Sequence, residues 1–185
     1  MLSSCKKFYF IRHGETNFNK EKKYTGTFDI LLNKQGFKQV KNAVEILLLQ
    51  NITVIYTSPL KRALQTAIII SNKLNIPIVV VDEFIERDFG ILQTKKKLRY
   101  KKKYFYKAPT MYQHRRKTII GFNKIKKHNS LIVGHSGTYK ALMNYLLKTN
   151  ISESINNANI ICFVQHNNKQ WKTIDLCTTK PSNEH

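Results

Sequence analysis

A chain of 185 residues with 42% hydrophobic content suits one domain, 1–185, with ample material for a core, and neither a linker nor an internal repeat interrupts it. The first strand is expected at about Phe8, which leaves no room for a signal peptide, and no apolar run approaches the roughly 20 residues needed to span a bilayer. Cys5, Cys162 and Cys177 are odd in number and lack CxxC spacing, so they support neither a disulfide framework nor a zinc site; a soluble protein of the reducing cytoplasm, without metal or cofactor, is expected.

Phe8-Tyr9-Phe10-Ile11 reads as a strand buried on both faces, and it runs directly into Arg12-His13-Gly14-Glu15-Thr16. Asn33 is placed to cap a helix whose Val40, Ala43, Val44, Leu47 and Leu48 share one stripe, and Thr53 to Thr57 reads as a second buried strand. Ser58-Pro59 suits the N-cap and first position of the next helix, with Leu60, Ala63, Leu64, Ala67 and Ile68 on its core face. Pro77 to Val81 is the third strand. A weaker helical pattern around Ile119, Phe122 and Ile125 precedes a fourth strand at Leu131-Ile132-Val133, and Tyr139, Leu142, Met143 and Leu146 mark another helix. Ile160 to Val164 and Trp171 to Leu176 flank a polar turn near Asn167-Asn168, a hairpin, and a tail follows from about 178 to 185. Strands alternating with helices predict a three-layer α/β/α sandwich, its sheet mainly parallel with the hairpin as an antiparallel edge.

Three of these strands end in chemistry-bearing residues: Arg12 and His13, Thr57 and Ser58, Gly134 and His135. Parallel strands share one carboxyl edge, where ligand crevices form, so these groups are expected to converge. Arg12 offers a fork for phosphate and His13 a nucleophile or proton carrier, while Gly14 is expected to let backbone approach the ligand closely. Arg62 lies off the apolar stripe in the first turn of its helix. Ser136-Gly137 follow His135 at a helix N-terminus, where N–H groups and the dipole favour an anion. The pattern suggests phosphate chemistry.

Arg12 to Thr16 resembles the signature of the histidine phosphatase superfamily, the phosphoglycerate-mutase-like proteins. Ser58 to Ala67 is similar to that family's second motif, Phe84-Ile85-Glu86-Arg87-Asp88-Phe89-Gly90 to the stretch carrying its general acid and base, and Gly134-His135-Ser136-Gly137 to its closing motif, about 120 residues after the first. Weaker matches are Asn19, and Thr25-Gly26 with Asp29 to Leu32, similar to the substrate-loop segment. The resemblance implies a phosphomonoesterase working through phosphohistidine on His13, with Arg12, Arg62 and His135 stabilising phosphoryl charge. Glu86, and not Asp88, then serves as acid and base; whether its surroundings favour or disfavour the charged form stays open. Asn19, Thr25, Gly26, Ser58 and Ser136 are the expected phosphate or substrate contacts. Two departures concern the substrate-facing lid: Ile91-Leu92-Gln93 stand where the family commonly has tryptophan, glutamate and glycine, and its glycine-glutamate-serine is absent around Ala108 to Met111.

From Phe89 to Ser152 there are 16 Lys or Arg and no Asp or Glu. Lys95 to Lys107 alone interleaves eight basic residues with Leu98, Tyr100, Tyr104, Phe105 and Tyr106, and reads as a surface loop or lid. Polyanion attraction is one reading, but 26 of the 32 cations are Lys among many Asn and Ile, as AT-rich coding produces, and nucleic-acid readers rely more on Arg forks. The rivals to hydrolysis are a mutase, in which a second hydroxyl takes the phosphoryl group, and a weakly active fold binding RNA or an acidic partner through the Lys-Tyr loop. A small phosphorylated substrate is the expected partner, with nucleic acid second and no membrane, and the sequence fixes no oligomeric state.

Overall fold

A computed structural model describes residues 6–97, 108–126, 128–165 and 169–177. Most of the Lys-Tyr loop (98–107), the Asn167-Asn168 turn and the 178–185 tail lie outside them.

In chain order the elements are β1 (Lys6–Arg12), α1 (Asn17–Lys20), α2 (Lys34–Leu48), β2 (Val54–Thr57), α3 (Lys61–Leu74), β3 (Ile78–Val80), 3₁₀ turns at Asp82–Phe84 and Gly90–Leu92, α4 (Met111–Lys124), β4 (Ser130–Gly134), α5 (Ser136–Leu147), β5 (Ile160–Gln165) and β6 (Trp171–Asp175). The sheet order is β3-β2-β4-β1-β5-β6. β3, β2, β4 and β1 pair in parallel, and β5 and β6 add the antiparallel edge. This is the predicted sandwich, with β1 central.

The apolar run of β1 is explained by its place between two cores. Alternate residues of a strand face opposite ways, and here Tyr9 and Ile11 join one cluster while Phe8 and Phe10 join the other. The first packs α2 and α3 on the sheet through Val40, Leu47, Ala63 and Ile70; the second packs α4 and α5 through Phe122 and Leu142. Phe8 stacks on Phe163 with ring centroids 4.7 Å apart and tilts against Phe122 at 5.2 Å. A fully buried side chain of this size contributes roughly 1.5–3 kcal/mol.

Two local expectations are corrected. Helix α3 begins at Lys61 with Leu60 as N-cap, not at Ser58-Pro59. The residue before a proline is pushed off helical geometry, and the Ser58 hydroxyl, which accepts from the Leu60 N–H at 3.3 Å, is also engaged by His135. The first helical N–H, that of Lys61, donates to Asp29 Oδ1 at 2.7 Å instead. Gly14 serves packing between loop and helix: a Cβ there would meet the Gly36 carbonyl oxygen at 2.7 Å and Val40 Cγ2 at 2.9 Å, and one on Gly36 would meet the Glu15 oxygen at 2.2 Å. Two glycines let the loop after β1 lie flat on α2, whose N-terminus is capped by Asn33 as expected. Helix α4 starts at Met111 behind a Thr110–Gln113 capping box.

Candidate active site

The strand order β2-β4-β1 sets the three expected ends side by side. Arg12 is in register with Gly134, the His13 N–H donates to the Gly134 carbonyl at 3.0 Å, and the Ser58 N–H donates to Val133 at 3.1 Å. Above this edge lies a cavity of about 270 Å³ bordered by Arg12, His13, Asn19, Thr25, Gly26, Arg62, Glu86 and Ser136, all of them sequence-predicted.

His13 is 3% exposed. Its Nδ1 lies 2.7 Å from the Gly14 carbonyl oxygen, which fixes the proton on Nδ1, and its Nε2 accepts from Arg62 Nε at 3.2 Å. Burial first, then Arg62 and Arg12, hold its pKa well below the ordinary 6.5, so the ring is neutral at neutral pH and Nε2 keeps its lone pair. Arg62 is buried too: its terminal nitrogens donate to the carbonyls of Phe28 (2.9 Å) and Gly26 (2.8 Å). Desolvation pulls it down to about 10, and it stays charged through the physiological range. Arg12 donates to the Ile155 carbonyl at 2.5 Å and leaves Nε without a partner.

His135 caps α5, its ring 5.2 Å from that of His13. Its Nε2 lies 2.7 Å from Ser58 Oγ, and its Nδ1 has no partner. Ser58 Oγ accepts from Leu60 and keeps a proton and a second lone pair, so its bond with His135 Nε2 can run either way; when the hydroxyl donates, the ring proton sits on the open Nδ1. Burial, Arg62 and His13 keep this imidazole neutral. Ser58, expected as a substrate contact, is fully buried and borders no part of the cavity; it holds His135 instead. Ser136 does border it, with an unpartnered Oγ.

Glu86 follows the Asp82–Phe84 turn. Its carboxylate accepts from the Arg87 N–H at 2.8 Å and, through the other oxygen, from the Gly137 N–H at 3.1 Å. A helix N-terminal N–H expected to face an anionic ligand thus faces Glu86. Asp88 accepts from Gly90 at 2.6 Å and borders a neighbouring cavity of about 610 Å³ that also touches Glu86, whereas Glu86 alone of the two borders the cavity that His13 lines.

Asn19 and Thr25-Gly26 sit at the mouth. Asn19 Oδ1 accepts from the Thr16 N–H and from Asn157 Nδ2, both at 3.1 Å. Gly26 has φ +56°, and a Cβ there would meet Gln93 Oε1 at 2.4 Å. Gln93, one of the family departures, pins this turn by accepting from the N–H groups of Thr27 (2.7 Å) and Phe28 (3.1 Å).

The sequence reading missed Lys97, Lys140, Tyr24, Phe89, Arg87 and Ser154 on the cavity wall and His114 behind it. Lys97 belongs to the flagged basic loop, and its N–H pairs with the Lys22 carbonyl at 2.7 Å, so that loop starts against the site. Among the described residues no three His, Cys, Asp or Glu side chains gather closely enough to hold a metal ion, and no helix is long and apolar enough to cross a membrane. The cavity offers an oxyanion three guanidiniums, two lysines and the unpartnered Arg12 Nε and Ser136 Oγ, with a lone pair on His13 beside them.

Known proteins carry the same pattern. The chain is 46% identical over 80 residues to an uncharacterized phosphatase, PhoE, of Bacillus subtilis, covering 43% of this chain and 42% of that protein. It is 31% identical to a 2,3-bisphosphoglycerate-dependent phosphoglycerate mutase of Buchnera aphidicola, over 80% of this chain and 86% of the mutase. A solved phosphoglycerate mutase from Bacillus anthracis superposes with a TM-score of 0.78 at 16% identity over 92% of each chain. The profile of the histidine phosphatase superfamily (branch 1) matches residues 8–176, and the chain belongs to that family.

Proposed function

We propose that this protein hydrolyses phosphate monoesters through a phosphohistidine on His13. The observation that carries the reading is the state of that ring: a buried, neutral imidazole whose Nδ1–H donates to the Gly14 carbonyl and whose Nε2 lone pair meets Arg62 in a cavity of cations. Nε2 attacks phosphorus, and the P–O bond to the leaving alcohol breaks. Arg12, Arg62 and the Nδ1–H of His135 take the charge on the phosphoryl oxygens, preorganised donors being the main lever in phosphoryl transfer. Glu86 protonates the departing oxygen, then accepts a proton from the water that opens the phosphohistidine.

The relatives named phosphatase and mutase support both fates of the intermediate. Hydrolysis is favoured because the stretch from Gly90 to His135 is compact and departs from the family's substrate-facing pattern. The test is a panel of phosphorylated metabolites assayed without added metal, with labelled phosphate traced to product and protein. Inorganic phosphate is the expected product, with label on His13, and His13→Ala abolishes both. Label on a serine, or full activity in His13→Ala, overturns the mechanism; transfer to an added phosphoglycerate in place of water assigns the mutase.

A further inference from the structure

His114 stands on α4 directly behind the proposed acid and base, and the mechanism above does not use it. It is 4% exposed and lies on one buried stripe with Thr118 and Phe122, four and eight residues on, where an apolar side chain would pack as well. Its Nε2 is 3.5 Å from Glu86 Oε1, an electrostatic contact longer than a full hydrogen bond, and meets no full hydrogen bond, the Gly137 backbone being its other polar neighbour. A buried polar nitrogen left unpaired is costly, so its retention at this position asks for a use.

We propose that His114 is a positioning residue for Glu86: its imidazole N–H braces the carboxylate that takes the proton from water when phosphohistidine is hydrolysed. The inference rests on the phosphatase reading above. In the hydrolytic step the water oxygen bonds to phosphorus and the P–Nε2 bond breaks. Its electron pair returns to His13, and the water proton passes to Glu86. A carboxylate held in place by donors is already aimed at the water at the start of that step, so the gain is one of position.

The electrostatics around the pair are consistent. His114 faces Glu86 and Arg87 from the loop before it, Lys117 on its own helix, and the Gly137 backbone and His135 on α5. Burial, Arg87 and Lys117 favour its neutral form and Glu86 opposes them, so near neutral pH it acts as an N–H donor. Glu86 in turn feels Arg12, Arg62, Arg87, Lys97 and Lys140. Among the described residues, the 3.5 Å approach of His114 Nε2 is the one side-chain contact with the Glu86 carboxylate close enough to become an ion pair were the ring protonated.

The experiment follows the rates of formation and decay of ³²P-phosphohistidine in His114→Phe, which keeps a ring and removes the donor, and in His114→Gln, which keeps an N–H. His114→Leu replaces the Phe variant if its ring does not fit. The variant without a donor should hydrolyse the intermediate about five- to tenfold more slowly while forming it within about twofold of the parent rate. The Gln variant should stay within about twofold in both steps. Unchanged decay in the donor-less variant, or equal slowing in the Gln variant, overturns the proposal and leaves His114 a packing residue. If the parent protein forms no phosphohistidine, the phosphatase reading itself fails and this inference falls with it.

Discussion

Gly137→Ala tests the Glu86 assignment with the smallest perturbation the site permits. Gly137 is the second residue of α5, and a Cβ there would lie 2.1 Å from Glu86 Oε1 and 2.7 Å from His114 Nε2. Both are the far ends of side chains, so the fold yields by moving them and the backbone stays. Restoring ordinary contact pushes the carboxylate back by roughly 1 Å, a misplacement that costs on the order of 10²-fold in rate, within the ~10²- to 10⁴-fold that general acid–base catalysis supplies. Stability should change little, since alanine in place of glycine gains up to about 1 kcal/mol in helix propensity and less in the first turn. The assay compares phosphoenzyme formation from an alkyl phosphate and from an aryl phosphate whose leaving group needs no proton, beside Tm. A loss of about 10²-fold for the alkyl ester and a much smaller one for the aryl ester is expected, with Tm held within a few degrees. Equal losses for the two esters, or none for either, would refute the reasoning.

Two further outcomes follow from the buried histidines. His13, His135 and His114 all have pKa values held below 6.5 by burial, so the unfolded chain binds protons that the native one does not. Stability should therefore be complete above pH 7 and fall progressively as pH drops below about 6.5, ahead of the carboxylate range, and a Tm that is flat from pH 7 to 5 would contradict it. Ser58→Ala removes the hydroxyl 2.7 Å from His135 Nε2 and strands a buried ring nitrogen, at a cost of about 1–3 kcal/mol. Denaturant midpoint and kcat should both fall, and a variant that matches the parent in both would show that the hydroxyl does not hold the ring.

The sheet was legible in the sequence because its central strands are buried on both faces, which writes them as unbroken apolar runs with no competing period. Phe8 to Ile11 and Leu131 to Val133 are of this kind, and the residues after them had to share an edge once the strands were parallel. The start of α3 was not legible, because Ser58-Pro59 suits a helix terminus locally while the Ser58 hydroxyl is claimed by His135, 77 residues away. Gly14 misled for a related reason. A glycine beside a ligand-binding histidine reads as making room for the ligand, and only the close approach of Gly36 shows that it makes room for α2. His114 carried no sequence signal beyond one histidine on a buried helical stripe. The Thr110–Gln113 capping box, by contrast, was present as a pattern in the very stretch noted for lacking the family's glycine-glutamate-serine.

The burial of Arg62 ties the proposed chemistry to the fold. One guanidinium donates to His13 and, with its two terminal nitrogens, to the carbonyls of Gly26 and Phe28, so it fixes the substrate-loop turn and the nucleophile at once. Desolvating such a cation is expensive, and carbonyl dipoles compensate for part of it. Arg12 Nε and Ser136 Oγ stay buried and unpartnered around the same cavity, and His135 Nδ1 does so beside His13, each an unmet hydrogen-bonding demand. In the proposed mechanism a phosphoryl group meets these demands together, and most fully in the transition state, where charge on the equatorial oxygens must be held by donors that need no reorganisation. Gln93, on a segment that departs from the family pattern, then has a defined part: by holding the N–H groups of Thr27 and Phe28 it leaves the carbonyls of that turn aimed at Arg62, and so keeps the cation in place beside His13.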